Sequence, residues 1–102
     1  MAYITIYSTY PNKKEAKQIA NILLDKHLIA CANFFPIESI YHRKGKKETA
    51  KEIVALYKTQ KKYRKIIQKE IIQHHSYETP CIIKFDIEAN TSYEQRLTKE
   101  TK

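Results

Sequence analysis

An α+β fold with the element order β-α-β-β-α-β is predicted by three features of this 102-residue sequence. Four segments rich in β-branched and aromatic residues read as strands. Two segments repeat their apolar residues at helical spacing. The single glycine, Gly45, falls between the second and third strand segments, where it marks a tight turn. Right-handed crossovers then place both helices on one face of a four-stranded antiparallel sheet, the ferredoxin-like split βαβ.

Residues 3–9 read Tyr-Ile-Thr-Ile-Tyr-Ser-Thr, the first strand, which Pro11 ends. Asn12, followed three residues later by Glu15, has the form of a capping box. Ala16, Ile19, Ala20, Leu23 and His27 share one face of a helix over about 13–26. Residues 29–42 form one long strand interrupted at Pro36, which lacks the N–H a sheet ladder needs and so marks a bulge or an edge. Residues 46–59 return from the turn at Gly45, giving a long antiparallel hairpin.

Tyr63, Ile66, Ile67 and Ile71 mark a second helix ending near His74 and His75, and 76–80 is a loop. In the fourth strand Cys81, Ile83, Phe85 and Ile87 alternate with Ile82, Lys84 and Asp86, so the first set is expected to face the core. Residues 92–99 predict a short C-terminal helix, with 98–102 expected to fray. Two helices on one face leave the other face bare. Thr5, Tyr7, Tyr57 and Ile82 are expected there, and so apolar a surface calls for a ligand or further copies of the chain.

Composition narrows the function. One glycine excludes the glycine-rich loops of dinucleotide and P-loop sites. Without an HExxH, a nucleophile elbow or a spaced Cys-His set, no enzyme is expected. The 42% of hydrophobic residues supports one modest core, hence a single domain over 1–102 that self-association would stabilise. The net charge of +8 fits a polyanion partner, yet the lysines are spread over 13–14, 44–47, 58–69 and the tail. That spread reads as solvated faces, and no nucleic-acid partner is expected.

The rival reading is an RNA-recognition module, which shares this element order and carries aromatics on its sheet face. Tyr7 and Tyr57 lie on the two central strands, but residues 53–58 lack the Arg/Lys-Gly-aromatic core of that module. No apolar run approaches the ~20 residues of a membrane span, and the N-terminal apolar segment is too short for a leader. Cys31 and Cys81 form no CxxC pair, so reduced thiols and a cytoplasmic protein without direct membrane insertion are expected.

Residues 28–33 (Leu-Ile-Ala-Cys-Ala-Asn), Pro36, Ser39-Ile40-Tyr41, Gly45, residues 53–59 and residues 75–80 (His-Ser-Tyr-Glu-Thr-Pro) resemble, in order, the CutA family of divalent-cation tolerance proteins. The resemblance is collinear over about 4–93. It implies a ferredoxin-like protomer in a tight homotrimer, similar to PII-like signalling proteins, whose hairpin, with Tyr41, Arg43 and Gly45, reaches a neighbouring subunit. It also implies metal tolerance through Cu(II) or another divalent cation, with His74 and His75 as candidate ligands, imidazole being suited to copper. Cys31 is a weaker thiol candidate, and Tyr77, Glu78 and Lys58 are candidates for a cleft between protomers. The chain departs from the family pattern at Ser8, where a thiol is expected, and at Arg43, Ser76 and Cys81, where Trp, Pro and Glu are common.

Overall fold

The computed structural model describes residues 2–102. Its elements are β1 (Tyr3–Tyr10), α1 (Lys13–Asp25), β2 (Cys31–Arg43), β3 (Lys46–Gln60), a 3-10 turn (Lys61–Tyr63), α2 (Arg64–His74), β4 (Ile82–Ile87) and α3 (Thr91–Glu100). The strands form one antiparallel sheet in the order β2-β3-β1-β4, the expected ferredoxin-like arrangement. Ile4, Ile6 and Tyr10 of β1 meet Ala16, Ile19, Ala20 and Leu23 of α1 and Ile67 and Ile71 of α2 in one buried cluster.

Helix α1 begins as its sequence predicts, with Asn12 Oδ1 accepting the Glu15 N–H at 2.8 Å. It ends earlier than the apolar spacing suggests. His27 takes a left-handed conformation (φ 56°), its N–H donating to Leu24 O and that of Leu28 to Leu23 O, which is a Schellman termination. His27 is therefore exposed at a helix end and not part of the buried face; Leu28 closes over Leu23 in its place.

Three other expectations change. Tyr57 lies opposite Ile6 and Ile82 opposite Ser8, so both sit under the helices and not on the bare face. Tyr57 is fully buried there. Conversely, Ile83, Phe85 and Ile87 oppose Tyr7, Thr5 and Tyr3 on the open face, with Ile83 44% and Phe85 51% exposed. Period-two alternation says that one face of a strand is apolar; it cannot say which layer that face meets. Since Tyr57 is taken up by the core, the paired aromatics of an RNA-recognition sheet are absent, and that reading is not favoured.

The C-terminus is tied down instead of frayed. Thr101 is buried, with Oγ1 donating to Leu97 O at 2.7 Å and accepting from Gln60 Nε2 at 2.7 Å, while the Lys102 N–H donates to His27 O. These bonds hold α3 against the face away from α1 and α2, where Tyr3 Oη and Thr98 Oγ1 are 2.7 Å apart and Leu97 is fully buried.

The hairpin outruns the sheet. β1 pairs with β3 only from Ile53 to Gln60, so seven β2–β3 pairs, Ile37 with Glu52 through Arg43 with Lys46, project as a two-stranded ribbon from a protomer 45 Å long. Pro36 pairs with Ile53 in an unbroken register, which makes it an edge-strand proline without a bulge.

Candidate functional site

The residues that follow α2 make the most connected polar cluster of the protomer. His75 caps α2 in extended conformation (ψ 140°), its N–H donating to Ile71 O, and this turn swings the imidazole inward. The ring is completely buried, stacked on Tyr10 at 4.7 Å and 15° and flanked by Tyr77 at 4.7 Å. Nε2 lies 2.7 Å from Thr9 O, and a carbonyl only accepts, so Nε2 carries the proton. Nδ1 is then the acceptor for the Tyr77 N–H at 3.0 Å.

Glu15 Oε2 stands 3.4 Å from Nδ1 and accepts from both the N–H and the hydroxyl of Ser76 at 3.0 Å. Half of the capping box thus forms, while the Glu15 side chain fastens the loop after α2. Tyr77 Oη donates to Glu52 Oε2 at 2.8 Å, joining this loop to the root of the projecting ribbon. Burial, then the Glu52 carboxylate, pushes the Tyr77 phenol well above its ordinary range. Burial followed by the same carboxylate also pushes up the Cys81 thiol, so Cys81 stays protonated at neutral pH.

The sequence-derived candidates do not converge within one protomer. Both nitrogens of His75 are engaged. The exposed His74 points elsewhere, with Nε2 3.8 Å from Glu70 Oε1, which itself accepts from Lys26 Nζ at 2.7 Å. Glu78 is exposed in the loop. Lys58 lies six residues from Glu52 along β3, roughly 20 Å away, with Nζ 5.8 Å from the Tyr93 ring centroid. Cys31 is its register partner, half-buried beside Asn33 Oδ1 and Tyr93.

Tyr41, Arg43 and Gly45 belong to the ribbon and its tip, all exposed. Gly45 has φ +77° with nothing within 4 Å of where a Cβ would stand, so the turn requires its conformation and not its small size. Between the turn at Pro11, Asn12 and Lys13 and the ribbon root at Pro36, Glu38 and Glu52 runs an open groove of about 500 Å³. Thr9, Glu15 and Glu52 escaped the sequence reading because their partners are 66, 61 and 25 residues away. Glu15 carried a local signal, but it pointed to the helix cap.

The profile of the CutA1 divalent ion tolerance protein family matches residues 4–100, nearly the whole chain. The chain belongs to the CutA1 family. It is 42% identical over 85 residues to the divalent-cation tolerance protein CutA of Thermotoga maritima, covering 83% of this chain and 84% of that one. A solved structure of the periplasmic divalent cation tolerance protein CutA from Archaeoglobus fulgidus superposes with a TM-score of 0.93 at 36% identity, covering 96% of this chain and 97% of that one. CutA1 from Oryza sativa superposes with a TM-score of 0.96 at 31% identity, over 100% of this chain and 95% of that one. This CutA1-family chain therefore keeps the fold of relatives from bacteria, archaea and plants. No helix among its described residues is long and apolar enough to cross a membrane.

Proposed function

We propose that this chain works as a homotrimer in divalent-cation tolerance, without catalysis, holding a metal ion such as Cu(II) or a small ligand in clefts between subunits. The carrying observation is the seven-pair ribbon left uncovered in the protomer. A two-stranded ribbon alone in water is marginal at best, and docking against a second copy supplies the missing contacts. The open face bearing Ile83 and Phe85, and the buried Thr5 Oγ1 with no partner among the described residues, argue the same way.

β2 and β4 both present outer edges free within the protomer, and an edge-to-edge contact between unlike strands makes a ring where its rotation closes. Three is the number that the family resemblance implies. Among the described residues no three His, Cys, Asp or Glu side chains converge, so a metal site draws ligands from more than one copy, with His74 as the exposed imidazole. The free thiols Cys31 and Cys81 fit a reducing compartment such as the cytoplasm.

Light scattering on the eluting species tests the assembly: a mass three times 12.1 kDa is expected, and a monomer at micromolar concentration overturns it. Cu(II) titration tests the metal: His74→Ala is expected to weaken binding, and an unchanged isotherm removes His74 from the site.

A further inference from the structure

We propose that the tip of the β2–β3 ribbon is a docking element for the phosphate backbone of duplex DNA. The inference does not depend on metal binding, but it requires that the ribbon's contact with a second copy leave the tip, residues 42–47, in solvent. Residues 42–47 (His-Arg-Lys-Gly-Lys-Lys) are all exposed, and none of Arg43, Lys44, Lys46 and Lys47 has an ion-pair partner among the described residues. The nearest acid along the ribbon, Glu48, sits one pair further down, opposite Tyr41.

The tip is built against its own stability. Arg43 is the register partner of Lys46, and like charges directly opposite destabilise a ribbon. Lys44 occupies the first central position of the two-residue turn at φ 52°, where Asn, Asp or Gly is favoured because a Cβ is crowded there. Each of these choices gives up pairing or turn energy and gains a positive charge, the pattern of a binding element.

The placement selects the partner. Arg43 and Lys46 lie on one face of the ribbon, Lys47 on the other and Lys44 at the apex. Cations on both faces suit a groove whose two walls are anionic, and the B-DNA major groove, about 12 Å wide, admits a two-stranded ribbon. A flat bilayer meets only the apex, and residues 42–47 offer no apolar side chain to enter it. Arginine and lysine bind phosphate oxygens as well as guanine edges, and we assign the four tip cations to phosphates, the contact that positions a protein without reading sequence. The expectation of no nucleic-acid partner came from lysines spread along the chain; folding isolates four cations at the end of a ribbon, remote from the rest.

The test is fluorescence anisotropy of a labelled duplex of about 20 base pairs, titrated with the full chain between roughly 50 mM and roughly 200 mM salt. Four phosphate contacts give a slope of log K against log salt of about −3 to −4. The variant R43Q/K44N/K46Q/K47Q is expected to bind at least about tenfold more weakly at the lowest salt, with unchanged circular dichroism. K44N alone, which suits the turn better than lysine, is expected to make the slope shallower by about 0.9. Absence of binding at the lowest salt, equal binding by the quadruple variant, or capture by phosphatidylserine vesicles without duplex binding overturns the proposal. Light scattering on the same samples reports the oligomer separately, so failure of the trimer reading is distinguishable.

Discussion

The hydroxyls of Tyr10 and Tyr57 meet at 2.6 Å inside the layer between the sheet and the helices. Tyr10 also has the Ser8 hydroxyl beside it, whereas Tyr57 has only Tyr10. Tyr10→Phe therefore strands a buried hydroxyl and is expected to cost about 1–3 kcal/mol, against about 0.5–1.5 kcal/mol for Tyr57→Phe. The double variant should cost less than the sum. Urea unfolding of the three variants measures this, and additive effects would show that the pair is not coupled.

Stability is expected to fall above about pH 10. Burial raises the phenol pKa of both Tyr10 and Tyr57 in the folded chain. A group whose folded pKa lies above its unfolded one contributes fully below the unfolded value and loses that contribution as pH rises. Each phenol then adds a slope of up to about −1.4 kcal/mol per pH unit. Unfolding free energies between about pH 9 and about pH 11 should show the fall, flattened in Tyr57→Phe.

His74 and His75 should separate sharply under mutation. His75→Ala removes the ring that joins Thr9 O to the Tyr77 N–H and leaves a cavity beside Tyr10, an expected cost of about 2–4 kcal/mol. His74→Ala, at an exposed site, should stay within about 0.5 kcal/mol. Equal costs in chemical denaturation would contradict the inward-turned geometry.

His27→Gly is expected to stabilise the chain by about 0.5–1 kcal/mol, because glycine reaches the left-handed position of the Schellman turn without crowding a Cβ. A raised midpoint in thermal unfolding checks it. A lowered midpoint would mean that the imidazole makes a contribution its exposed position does not show.

Phe85→Glu distinguishes the protomer's own packing from assembly. Half-exposed on the open face, Phe85 contributes little to the core of one chain, so circular dichroism should be unchanged. If the open face is a subunit interface, the mass by light scattering should drop to 12.1 kDa.

Local physics made the architecture readable in the chain. Alternation in β1, helical spacing in α1 and α2, Asn12 at a cap and Gly45 at a turn are signals carried within a few residues, and each element stands where those signals put it except at the end of α1, which stops short of His27. The candidate site was only partly readable. The motif around His75 was visible, but its meaning depends on Thr9, Glu15 and Glu52 arriving from three other elements.

What the sequence by itself determined was the order of elements, the long hairpin and the presence of one apolar face on each strand. Only the tertiary structure decided which way those faces turn: Tyr57 into the core, Phe85 out of it, His75 inward and His74 to the surface. The reason is that periodicity is a property of neighbouring residues. The side on which a helix layer settles, and the partner a buried polar atom finds, are set by register between strands remote in sequence.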